Sequence, residues 1–208
     1  MNNIEYRDLR KVDYDEVVDL VNKTWKFEDY FSKKVAYNIS YYYFLIELKH
    51  QNYNKVVLVN NKVIGFMGAI DFGKKAKNSK ITLLLFKYLL LILLSKEGRS
   101  AINGFKIVEN VESDLIGKNE HTYDGKITLF LLDDDYKGMG IGSKLYEDLF
   151  LFFKDNSVKS FFLFTDTLSN YTFYDYKKCT LVKKITLEKY MNVDCENTFF
   201  LYEKDLYK

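Results

Sequence analysis

The sequence predicts an α/β (α+β) fold in which helices flank a mixed sheet, and three observations carry that expectation. Residues 126–132 (KITLFLL) form a nearly continuous apolar run, the pattern of a strand buried on both faces. Residues 55–59 and 62–70 are strand-like segments on either side of Asn60-Asn61, a pair that tolerates the positive φ of a tight hairpin turn. Finally, Gly138, Gly140 and Gly142 alternate directly before a helix whose core face is Leu145, Leu149, Phe152 and Phe153.

The remaining elements follow in chain order. Residues 4–10 alternate well enough for a first strand. Asp13 then reads as an N-cap, with Glu16 three residues on completing a capping box, and Val17, Val18, Leu20 and Val21 give the helix its apolar spacing. A second helical region spans residues 27–49, where Tyr37, Tyr41, Tyr42, Tyr43 and Phe44 read first as core and second as pocket lining. Within the hairpin, Gly65 and Gly68 predict a bulge or the close approach of another backbone. Residues 74–121 break the pattern as a helical insertion, too short to fold alone. It opens on a basic turn (Lys74, Lys75, Lys77) and continues as the apolar segment 81–94, which contains Lys87. A membrane-spanning helix needs about 20 apolar residues, so this shorter segment is expected to be a core helix. The alternatives are an interfacial helix or one covered by a partner, and a homodimer would provide such cover. Gly98 and Gly104 flank a more polar stretch. After the glycine segment, residues 161–165, 182–187 and 196–206 read as late strands.

Composition narrows the function. The 208 residues fit one domain over 1–208. Basic and acidic residues nearly cancel at +2, so a nucleic-acid partner is not expected. Two histidines, His50 and His121, and two cysteines, Cys179 and Cys195, lack metal-ligand spacing, so no metal site is expected. Both cysteines read as free and buried. The first residues, MNNIEYRDLR, lack the apolar stretch of a secretory signal, and a cytoplasmic protein with no membrane partner is expected.

The glycine segment has a direct physical use. Without Cβ atoms the backbone turns its N–H groups inward, and the helix N-terminus adds unpaired donors and partial positive charge. This predicts a pyrophosphate site, against the plainer reading of a tight turn. A Walker A loop is excluded because Ser143-Lys144-Leu145 stands where Gly-Lys-Ser/Thr is required. A dinucleotide G-x-G-x-x-G fails too: its third glycine falls on Ser143 or on Leu145.

Residues 136–142 (YKGMGIG), after an apolar strand and an acidic turn, resemble the Arg/Gln-x-x-Gly-x-Gly/Ala signature of GNAT N-acetyltransferases. Residues 170–179 (NYTFYDYKKC) resemble that family's Asn-x-x-x-Phe-Tyr helix. Lys137 replaces the usual Arg or Gln, Asp134 a frequent proline, and Cys179-Thr180 a common Gly-Phe; none of these removes a backbone donor. The resemblance covers residues 126–182 and implies a GNAT-like, mostly antiparallel sheet of about seven strands. It also implies acetyl-CoA as co-substrate and direct attack by a primary amine of a small molecule or peptide. By the same resemblance the Leu131 and Leu132 backbone meets the pantetheine arm. Lys137, Gly138, Met139, Gly140, Ile141, Gly142 and Ser143 hold the pyrophosphate, Asn170 lies near the arm, and Tyr174 protonates the leaving thiolate. Glu120, His121, Asp124 and Asp166 are candidates for the base, which stays unassigned. The alternative function is an acyl-CoA-binding or sensing module without turnover.

Overall fold

The hairpin read from the sequence forms around Asn60 and Asn61, both in the left-handed region at φ 50° and 66°. In the computed structural model, which describes residues 3–76, 81–188 and 196–207, this hairpin joins β2 (Tyr53–Val59) to β3 (Lys62–Asp71). It is preceded by β1 (Ile4–Asp8), α1 (Tyr14–Trp25) and α2 (Lys33–His50). The insertion supplies α3 (Thr82–Leu93) and α4 (Lys96–Ile116), with Gly98 and Gly104 inside α4 rather than at its ends. The chain continues through β4 (Gly125–Leu132), α5 (Ile141–Asp155), β5 (Ser160–Asp166), α6 (Thr172–Tyr176), β6 (Thr180–Leu187) and β7 (Asn197–Asp205). Seven strands form one sheet in the order β1-β2-β3-β4-β5-β7-β6. Every neighbouring pair is antiparallel except β4 and β5.

Each face of the sheet is covered by helices whose apolar stripe meets it. On one side α1 and α2 bury Val17, Val21, Ile39, Phe44 and Leu45 against Phe66, Leu129 and Leu131. On the other, α5 buries Leu145, Leu149 and Phe153 against Val57, Met67, Phe161 and Leu163. The end of α4 closes a smaller cluster with β5 and β7 through Val111, Leu115, Phe162 and Leu201. Each large side chain so buried contributes about 1.5–3 kcal/mol. Cys179 is free and buried; Cys195 and Lys77 lie outside the described residues.

Two expectations change. The capping box of Asp13 and Glu16 does not form. Asp13 accepts both Arg7 guanidinium donors at 2.7 Å and the Arg10 N–H at 2.6 Å, because a charged fork outcompetes a neutral amide for a carboxylate. Glu16 instead accepts the Val63 N–H, pinning α1 to the hairpin. The apolar helix α3 is not buried all round. It rests on α2 through Tyr88, stacked on Tyr41 at 4.1 Å, and through Ile92, which is fully buried. Leu83, Phe86, Leu90 and Leu94 face outward, Leu83 with 80% of its surface exposed, because α3 is an outer element packed chiefly on α2 and α4. Among the described residues no helix is long and apolar enough to cross a membrane.

Candidate active site

The site originates in a local fault of the sheet. The register between β3 and β4 slips between Gly68 and Ala69, whose partners are Leu129 and Ile127, so Thr128 is the extra residue of a bulge. Its hydroxyl donates to the Gly68 carbonyl at 3.0 Å and accepts from Gln51 Nε2 at 2.6 Å. At the same level β4 and β5 part: they pair only through Gly125↔Phe161, Lys126↔Phe162 and Ile127↔Leu163. A cleft of about 640 Å³ opens between the diverging strands. Residues 126–132, expected to be buried on both faces, instead alternate between half-buried and buried, with Lys126, Thr128, Phe130 and Leu132 half-buried along the cleft.

The Asp133 N–H donates to the Ile64 carbonyl at 2.8 Å, so Asp133 points its backbone at β3. Strand alternation then assigns Leu131 to β3 as well, and leaves the Phe130 and Leu132 backbone groups facing the open edge. Leu132 thus lies where a pantetheine arm can pair with it. The Leu131 backbone is taken up by β3, and Phe130 stands on the open edge in its place.

The glycine segment closes one end of the cleft. Residues Asp134–Tyr136 form a 3-10 turn, capped by the Asp133 side chain accepting the Asp135 N–H at 3.3 Å. Asp133 is also bridged to Lys23 of α1 at 2.9 Å, and Lys137 pairs with Asp134. Gly138 and Gly140 have φ of 78° and 79°, a conformation that L side chains rarely adopt. Gly140 is the N-cap of α5, and the first intrahelical bond runs from the Lys144 N–H to its carbonyl at 3.0 Å. The N–H groups of Ile141, Gly142 and Ser143 consequently have no intrahelical acceptor. A Cβ placed at Gly138 or Gly140 would meet nothing within 4 Å, so there is open room in front of these donors. That room, the helix dipole and the Lys137 ammonium suit a bound pyrophosphate. Lys137, Gly138, Gly140, Gly142 and Ser143 all line the cleft. Met139 turns its side chain to solvent and Ile141 buries its own in the core, so these two can offer only backbone.

Asn170 and Tyr174 line the same cleft from the opposite lip. Asn170 is exposed, its Oδ1 accepting the Thr172 hydroxyl at 3.0 Å. The helix that carries Tyr174, α6, is only five residues long and is held by aromatic packing, with Phe173 edge-on to Phe130 at 5.3 Å. Tyr174 is buried, and its hydroxyl has no hydrogen-bond partner among the described residues. Burial, with Cys179 nearby, raises its pKa well above that of a free tyrosine, so it stays protonated. Tyr171 is stacked on Phe200 at 4.7 Å and Tyr176 is 75% exposed, so Tyr174 is the buried phenol of this helix.

Of the base candidates, only Asp166 reaches the cleft. Its carboxylate is raised in pKa by burial, and Oδ1 accepts from the Leu168 N–H, the Ser169 N–H and the Ser169 hydroxyl at 2.9–3.2 Å. Glu120 and His121 sit on an exposed turn before β4, and Asp124 accepts the Lys159 and Ser160 N–H groups. The sequence reading missed two other carboxylates, Glu47 of α2 and Glu112 of α4, which line the cleft beside Lys126. Burial raises both, Glu112 to about 7, against the attraction of Lys126. A signal was present: Glu47 interrupts an apolar helix one turn after Tyr43, and Glu112 follows Phe105 and Val108 at helical spacing.

No protein-family profile matches the chain, and no curated protein matches it in sequence. Solved structures do match over nearly the full length. PH1933 from Pyrococcus horikoshii OT3 is 17% identical with a TM-score of 0.59, covering 98% of each chain. An N-acetyltransferase from Staphylococcus aureus Mu50 is 16% identical with a TM-score of 0.57, covering 98% of this chain and 99% of its own. PaiA N-acetyltransferase from Thermoplasma acidophilum, in complex with coenzyme A, is 13% identical with a TM-score of 0.53, covering 98% and 99%. The chain has the fold of the GNAT N-acetyltransferases: a seven-stranded, mostly antiparallel sheet flanked by helices.

Proposed function

We propose that this protein is an acetyl-CoA-dependent N-acetyltransferase acting on a primary amine of a small molecule or peptide. One observation carries the proposal: the parted β4–β5 edge runs directly into the glycine loop, whose open N–H donors face the same cleft as Tyr174. The Phe130 and Leu132 backbone pairs with the pantetheine amides, as an added strand would. The N–H groups of residues 138–143, with Lys137 and the Ser143 hydroxyl, hold the pyrophosphate, and Asn170 contacts the arm. The acceptor nitrogen attacks the thioester carbonyl; a C–N bond forms, the C–S bond breaks, and the thiolate takes the Tyr174 proton. The proton of the amine leaves to a cleft carboxylate or to solvent, and Tyr174 is reprotonated from water.

Calorimetric titration with acetyl-CoA tests this reading on the wild type and on Gly140→Asp, which sets a side chain and a negative charge before the donors. Saturable binding in the wild type, lost in the variant, is expected, as is thiol release with an amine panel. An absence of binding in the wild type removes the proposal. Normal binding with no thiol release across the panel would replace it with acyl-CoA sensing.

A further inference from the structure

Opposite the glycine loop, the cleft ends in a wall that the proposed cofactor site leaves unused. Tyr43 and Glu47 lie one turn apart on α2, and Phe105, Val108 and Glu112 form a stripe on α4; all five line the cleft. Between the two helices stands Lys126, at the level where β4 and β5 are still paired.

The charges of this wall do not balance. Glu47 and Glu112 share a single ammonium, that of Lys126, whose Nζ is 3.9 Å from Glu112 Oε2. Lys126 is also drawn over the Phe164 ring at 5.0 Å and the Phe162 ring at 5.8 Å. The Glu47 side chain is half-buried and accepts no hydrogen bond from a described residue. Its remaining accessible surface opens into the cleft. Two partly desolvated carboxylates that share one cation are unfavourable, and they can be relieved by taking a proton or by meeting a second cation. Burial pushes the pKa of both glutamates upward, the direction of the first route. The surrounding rings suit the second: Trp25 stands edge-on to Tyr43 at 4.9 Å, and Tyr43 stacks on Phe105 at 5.9 Å.

We propose that the acceptor is a dication of the aliphatic diamine type, whose distal ammonium sits between Glu47 and Glu112 while its other amine is acetylated. The inference rests on the acetyl-transfer reading given above. Lys126 precedes Phe130, the residue packed on α6, by four positions, or roughly 13 Å of strand. An alkyl chain of several carbons spans such a distance, so the charge site lies beyond the reacting nitrogen. A neutral tail leaves Glu47 and Glu112 sharing Lys126 alone, and an anionic tail is repelled.

The test is calorimetric titration with three probes of similar length: 1,5-diaminopentane, pentylamine and 5-aminopentanoate. Each is titrated into the free protein and into protein saturated with coenzyme A, for the wild type, Glu47→Gln and Glu112→Gln. In the wild type the diamine should bind at least about tenfold more tightly than pentylamine, with 5-aminopentanoate weakest. Either substitution should reduce that preference while leaving coenzyme A affinity unchanged, which also shows that the variant is folded. Equal affinities for the three probes, no binding of the diamine, or an undiminished preference in both variants would overturn the proposal. Failure of coenzyme A to bind the wild type would remove the acetyl-transfer reading instead, and the amine series on the free protein would still decide the charge site.

Discussion

Gly140→Ala separates the structural demand of the glycine loop from its binding role. Gly140 has a φ of 79°, and a methyl there would touch no protein atom within 4 Å, so the folded-state penalty is conformational alone. Holding an L-residue in that region costs about 1–2 kcal/mol. At about 2–4 °C per kcal/mol for a chain of this size, Tm should fall by about 2–8 °C. The same methyl occupies the space through which a phosphate oxygen reaches the N–H groups of α5. Losing one such charge-assisted bond, worth about 1.5–3 kcal/mol, should weaken coenzyme A binding by roughly 10–100-fold. The two effects add in a thermal-shift assay. Ligand at a hundred times the wild-type Kd adds about 2.7 kcal/mol to the wild type, but only about 0.4–1.4 kcal/mol to a variant so weakened. Gly117→Ala is the control: it has φ 56° at the C-terminal end of α4 and equally open surroundings, but no place in the cleft. It should lose stability and keep the full coenzyme A shift. If Gly140→Ala retained both its Tm and its ligand shift, the account of the loop would be wrong.

Other perturbations reach different parts of the site. Tyr174→Phe should reduce kcat by about 10²–10⁴-fold with unchanged Tm and coenzyme A affinity, because the lost hydroxyl has no partner within the described protein; a normal kcat would remove Tyr174 from the chemistry. Burial raises the Glu112 carboxyl to about 7; Glu47, Glu109 and Asp166 add to the effect and Lys126 opposes it. Its folded pKa lies above the unfolded one, so its contribution to stability is full at acid pH and is lost as pH rises through 7. Diamine affinity, which needs the ionised form, should follow the opposite course, rising towards pH 7 and levelling above it; a profile in Glu112→Gln as steep as that of the wild type would contradict this. Gly68→Ala would drive a Cβ into the Gln51 side-chain amide, and Gln51 is fully buried. Displacing Gln51 from Thr128 should cost about 1–3 kcal/mol, read as a lower Tm in thermal unfolding; an unchanged Tm would show that the bulge does not depend on Gln51.

The parts of this architecture that were legible in the sequence are local. Asn60-Asn61 dictates its own turn, and Gly138, Gly140 and Gly142 are interpretable beside the strand before them and the helix after. The split of the sheet was less visible, although Thr128 is the one uncharged polar residue in the apolar run of β4 and marks the bulge. Leu131 and Leu132 differ only by strand alternation, which a continuous apolar run does not reveal. The exposure of α3 was hidden for a related reason: a helix apolar on every side does not indicate which side is covered. Asp13 failed as a cap because its partner Arg7 comes from the preceding strand. Glu47 and Glu112 are far apart in sequence, and only the packing of α2 beside α4 over the start of β4 turns them into a pair.

The short β4–β5 ladder also has a mechanical meaning. Four strands on one side and three on the other are joined by parallel pairing at only three positions. Beyond Ile127 and Leu163 the two half-sheets share no backbone bond, so the join is a seam that can open from the cleft end. An extended molecule lying in that gap and bonded to the free edge of β4 would act as a suture between the halves. Amide protons on Phe130 and Leu132 should then exchange with solvent faster than those of Phe66 and Met67 in β3, and slow markedly when coenzyme A is bound.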